Sequence, residues 1–105
     1  MDWALPAAAL ERRLRAYTPW PGLHTFLGGE RVKIVGAGVG DSARREPSGT
    51  FWTEGGKLLA AAGEGTSLEL RALQRAGRKP VSGADFALAA RLPGRFGPAK
   101  DARGS

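Results

Sequence analysis

Val32–Gly40 reads VKIVGAGVG, the spacing in this chain that comes nearest to a phosphate cradle. A β-branched run ending in alternating glycines is how a strand looks when it feeds a dinucleotide-binding turn. That chemistry needs G-x-G-x-x-G, so that the backbone can approach a pyrophosphate, and a helix at once, whose N-terminus holds the charge. Gly36 and Gly38 fit, but the third glycine falls at position 40, one too early. Asp41 takes its place and would set a carboxylate beside the phosphates. Residues 41–50, DSARREPSGT, carry no apolar stripe, and Pro47, Ser48 and Gly49 stop any helix there. The stretch is therefore read as a strand that bends into a glycine-rich loop.

Other reactive groupings are thin. His24 is the single histidine, with no second His, Cys or close carboxylate at metal-ligand spacing. It is expected at a strand edge or against Trp20. Ser42, Ser48, Ser67 and Ser82 form no nucleophile pattern with that imidazole. The absence of cysteine excludes disulfides and thiolate chemistry. By itself the chain does not read as an enzyme, and no metal or cofactor is expected in it.

Basic residues are what remain. Lys plus Arg number 16 against 10 Asp plus Glu, a formal charge of +6, which favours a polyanion as partner. Arg31 and Lys33 alternate with Val32 and Ile34 and should point outward from one strand. Arg71 projects from another, with Arg75, Arg78 and Lys79 on the loop after it. Arg12 and Arg13 lie on a helix. These eight are the candidate phosphate contacts, since guanidinium and ammonium groups pair with phosphate oxygens. Of the adjacent Phe51 and Trp52, one should face out, which is thin support for base stacking. Charge with few exposed aromatics fits the backbone of a folded RNA better than a single strand.

The elements that would position these groups are short. Residues 6–17 read as a helix with Leu10, Leu14 and Tyr17 on one stripe and Pro6 at its first position. Leu5 is a poor cap for it. Thr18-Pro19-Trp20-Pro21-Gly22 stops the helix in a rigid corner. Beyond it come five strand candidates: 24–27, 30–35, 50–54, 57–62 and 66–74. Gly28-Gly29 and Gly55-Gly56 join two of the pairs as primed hairpin turns. In the last candidate Leu68, Leu70 and Ala72 alternate with Glu69, Arg71 and Leu73. Ser82 caps a short helix to about Arg91, with Phe86 and Ala90 facing inward. The expectation is a mainly β fold, a small open OB-like barrel of about five strands with an N-terminal helix and a short C-terminal helix. Residues 1–22 lead in, residues 23–92 form the barrel, and residues 93–105 form a flexible tail. No run is long enough for a membrane helix and no secretory signal is visible, so a cytoplasmic monomer is expected.

The order of these pieces resembles the C-terminal domain of methionyl-tRNA formyltransferase. DWALPAAALERRLRAYTPWPG is similar to that domain's linker end, its helix and its Pro-Trp-Pro-Gly corner, the last met by Arg15–Gly22. Gly29–Ile34 meets its G-x-x-V-K-I, and Pro47–Thr50 its P-x-G-T. Gly56–Gln74 loosely meets its glycine-leucine repeat. Gly77–Phe86 resembles its G-K-x-x-x-x-A-x-x-F, with Arg78-Lys79 as the basic pair. Phe51-Trp52 and Pro80 depart from the pattern. The resemblance implies an OB-like barrel that helps hold initiator methionyl-tRNA. It also implies a separate N-terminal Rossmann-type catalytic domain that binds 10-formyltetrahydrofolate and transfers the formyl group. Met1 directly before Asp2 then fits a start at the domain junction. Sister enzymes that formylate sugar nucleotides carry a related domain, where it is an interdomain fitting without RNA, so the fold alone leaves the ligand open.

Overall fold

The computed structural model describes residues 2–17, 23–42, 45–90 and 94–97. The Thr18–Gly22 corner, the side chain of Tyr17, Arg91 and residues 98–105 lie outside them. Two glycine pairs build the frame. Strand β1 (Leu23–Leu27) turns through Gly28-Gly29 into β2 (Glu30–Val39), and β3 (Thr50–Glu54) turns through Gly55-Gly56 into β4 (Lys57–Ala61). All four glycines have positive φ, from +59° to +85°, as primed turns require. Strand β5 (Ser67–Arg75) pairs with both β2 and β4 and joins the hairpins into one antiparallel sheet. Two further strands of two residues each, β6 (Val81–Ser82) and β7 (Gly94–Arg95), pair with β5 and β3. The sheet order is β1-β2-β5-β4-β3-β7, with β6 off the path beside β5. It curls into the expected open barrel.

The curl has a cause in the β2–β5 register, which steps over Val35 and Arg71. Bulges bend a strand and exchange its faces. Val32 and Ile34 are buried in the core, and beyond the step it is Ala37 that packs against it. On β5 the inward residues are Leu68, Leu70 and then Leu73. Strict alternation put Ala72 inside and Leu73 outside; the bulge reverses both. Likewise Gly36 and Gly38 do not end the strand. They continue it, antiparallel to β5, as far as Val39, which is no geometry for a dinucleotide turn.

Helix α1 (Ala7–Tyr17) lays Ala7, Leu10 and Leu14 on the core over β2, β5 and β1. The missing local cap is supplied from 59 residues away: Thr66 Oγ1 accepts from the Ala7 N–H at 2.8 Å. Helix α2 (Gly83–Ala89) starts as read, the Ser82 hydroxyl accepting from the Asp85 N–H, and buries Phe86.

The segment 94–97 corrects the sequence reading, which placed it in the tail. It spans the gap between the two sheet edges, with Arg95 opposite Thr50 and the Gly97 N–H donating to Phe26 O at 2.7 Å. Phe96 is buried, stacked on Trp3 at 5.6 Å and 4.5 Å from the Phe51 ring. Trp3 Nε1–H donates to Thr25 Oγ1, which donates to Gly97 O, so a buried relay ties three distant segments together. Gly49 makes room: its φ is +91°, and a Cβ there would lie 2.5 Å from the Phe96 carbonyl oxygen. One aromatic among glycines and prolines gives no periodic signal, which is why it read as tail.

Phe51 and Trp52 also differ from expectation, because both are buried. Phe51 belongs to the main core, while Trp52 packs with Leu59 and Ala61 in a separate cluster. Trp52 Nε1–H and Ser42 Oγ–H both donate to Glu54 Oε1 at 3.0 Å, tying the β2–β3 connection over that cluster.

Candidate nucleic-acid interface

The register across β1, β2 and β5 aligns His24 with Lys33 and Lys33 with Gln74. This row lies on the outer face, opposite Val32 and Ile34. Arg31 stands two residues before Lys33 on the same face. Its Nη2 is 3.2 Å from His24 Nε2 and 3.4 Å from Nδ1. A nitrogen this close to both ring nitrogens lies over the ring face, so the contact sets a permanent cation against the imidazole and disfavours a second charge there. Partial burial, and then the charges of Arg31 and Lys33, hold the His24 pKa below its ordinary value of 6.5. His24, Arg31, Lys33, Gln74 and the Arg75–Gly77 turn line an open cleft of about 240 Å³.

The other predicted contacts fall into three situations. Arg75 is drawn to the inner rim, because the bulge at Arg71 sets it opposite Val32. Its Nη1 is 2.7 Å from Glu30 Oε1, and its guanidinium carbon sits 5.0 Å from the Phe86 ring centre. It is engaged with Glu30 and Phe86 as well as lining the cleft. Arg71 is exposed, lies against Gly38 and pairs with Glu69 at 3.4 Å. Arg12 and Arg13 on α1, and Arg78 and Lys79 on the turn after β5, are exposed and make no ion pair among the described residues. The turn is tied to the cleft by Gln74 Nε2–H, which donates to Arg78 O at 2.8 Å. Arg12, Arg13 and Arg71 do not line the cleft.

Sequence reasoning missed His24 and Gln74 as members of this face. The signal for His24 was present. A two-residue Gly-Gly turn fixes Leu27 opposite Glu30, and counting back three pairs sets His24 beside Lys33. Gln74 needed the bulge, which sequence does not mark.

An antiparallel open barrel, a helix over its core and a basic outer face on the first hairpin are the features that define this domain. The family model for the formyl transferase C-terminal domain matches residues 1–91, and the chain belongs to that family. Among similar proteins, the methionyl-tRNA formyltransferase of Xanthomonas axonopodis pv. citri (strain 306) is 42% identical over 87 residues, covering 82% of this chain and 28% of that protein. The enzyme of the same name from Pseudomonas paraeruginosa is 42% identical over 86 residues, 82% of this chain and 27% of its own. That of Treponema pallidum subsp. pallidum is 42% identical over 88 residues, 81% and 27% respectively. The chain thus spans little more than a quarter of the length of these relatives. No helix among the described residues is long and apolar enough to cross a membrane.

Proposed function

We propose that this chain is the tRNA-holding accessory domain of a methionyl-tRNA formyltransferase. In this reading the parent enzyme moves a formyl group from 10-formyltetrahydrofolate to the amino group of initiator methionyl-tRNA. The catalytic domain binds the folate and does the transfer, and this domain grips tRNA phosphates. The observation that carries the reading is the outer face of β1–β2–β5. Arg31 and Lys33 stand there with His24, and neither cation has a carboxylate partner among the described residues. Cations held together without an acid raise the local potential and favour an anion. Arg78 and Lys79 extend the charge along the adjoining turn. Contact is to the backbone, with little base readout, because the adjacent aromatics Phe51 and Trp52 are buried. The relatives are named for methionyl-tRNA, which favours this role over an interdomain fitting in a sugar-nucleotide enzyme. The reaction would run in the cytoplasm, with this domain as a monomer beside its catalytic domain.

The test is the salt dependence of binding to a folded tRNA. Each duplex phosphate engaged should contribute about −0.9 to the slope of log affinity against log salt. A steep negative slope is expected; a flat one overturns the reading. Replacing Arg78 and Lys79 with Ala should weaken binding by a smaller amount without altering the fold by circular dichroism.

A further inference from the structure

Arg31 is poised differently from the arginines that are paired to acids. Arg15, Arg71 and Arg75 each have a carboxylate, Glu11, Glu69 and Glu30 respectively. Arg31 instead lies across the His24 imidazole, its Nη2 within 3.4 Å of both ring nitrogens. Lys33 is paired with His24 in the strand register, on the same face. Gln74 faces the row from β5, and the nearby acid Glu30 is occupied by Arg75 on the inner rim. The groups that face His24 from the neighbouring strands are therefore two permanent cations and an amide. A proton on His24 would set three cations together, a repulsion that an anion docked in the cleft would offset.

We propose that His24, Arg31 and Lys33 form a proton-linked phosphate subsite. A backbone phosphate docks in the cleft and Arg31 turns from the imidazole to the phosphate oxygens. His24 then takes a proton from solvent and becomes a further donor. Lys33 supplies fixed charge. The inference rests on the phosphate-binding reading above and deepens it, because it makes grip on the RNA depend on pH through one residue. A guanidinium and a charged imidazole both bind phosphate more strongly than the guanidinium binds an uncharged ring.

His24 is the only histidine, so one imidazole signal in a proton NMR titration reports the site. The midpoint is followed in the free 105-residue chain, with sulfate (a phosphate analogue of constant charge over this range), and with a mixed-sequence RNA duplex. The expected result is a free midpoint below the ordinary histidine value that rises by about one pH unit or more with RNA and by less with sulfate. RNA affinity should then increase as pH falls, by at most about tenfold per pH unit for one linked proton. His24→Asn should abolish that pH dependence and keep most of the salt slope. Arg31→Ala should raise the midpoint of the free chain by removing a neighbouring cation.

RNA that binds with a steep salt slope but leaves the His24 midpoint unmoved overturns the subsite and leaves the RNA reading intact. A midpoint moved by sulfate, with no RNA binding at any pH, supports the anion site and overturns the RNA reading. A midpoint moved by neither probe overturns the subsite.

Discussion

Arg31 and Arg75 belong to neighbouring strands of one sheet, yet they do opposite work. Arg75 faces the barrel's inner rim, bonded to Glu30 at 2.7 Å and set over the Phe86 ring. Arg31 faces out, against an imidazole, with Lys33 two residues on. The first arginine has its charge answered inside the protein and fixes structure. The second has no carboxylate partner among the described residues and is available to a ligand. Counting positive residues treats the two alike; the pairing of each guanidinium separates them. The same division runs through the sheet. Its inner face carries Phe51, Phe86, Phe96 and the leucines, while the outer face of the first hairpin carries the cations.

The comparison can be broken first from the inside. Phe96→Ala removes the ring that joins Trp3, Phe51 and Phe86 and should cost about 3–5 kcal/mol in urea denaturation. A loss below about 1 kcal/mol, the level of an ordinary surface change, would show that segment 94–97 is not part of the core. Arg75→Ala should cost about 1 kcal/mol through the lost ion pair and ring contact. Arg31→Ala should stay within about 0.5 kcal/mol, as a surface substitution does. Equal stabilities for the two variants would erase the distinction between the arginines.

The smallest effect concerns pH. Because the folded state depresses the His24 pKa, the unfolded chain takes up the proton first as pH falls. His24's contribution to stability is therefore full above pH 6.5 and is lost below it. His24→Asn should flatten the urea midpoint between pH 7 and pH 5 relative to the parent chain. Identical pH profiles would contradict the assignment.

How much of this was legible in the sequence depends on distance along the chain. The two Gly-Gly hairpins were, because the turn residues fix both the turn type and the register beside them. So was the outward set of Arg31 and Lys33, which needs only alternation on one strand. Arg75 was not. Continuing the alternation of Leu68 and Leu70 places it outside, and the bulge at Arg71 turns it in. The Thr66 cap on α1 and the entry of Phe96 into the core were hidden for a similar reason. Each depends on a contact with a segment far away in sequence. His24 lay between these cases: its place on an edge strand was legible, and the hairpin register held its pairing with Lys33, but a lone histidine carries no local signal of two neighbouring cations.

The most direct measurement is the salt dependence of tRNA binding for the parent chain, for Arg31→Ala/Lys33→Ala and for Arg75→Ala, all at one pH. The outer-face pair should lower the magnitude of the log–log slope by about 1.8, two phosphate contacts at roughly 0.9 each, while Arg75→Ala leaves it nearly unchanged. A double variant with the parent's slope, or an Arg75 variant that loses as much, would contradict the claim that the unanswered cations of β2 are the ones that hold the RNA.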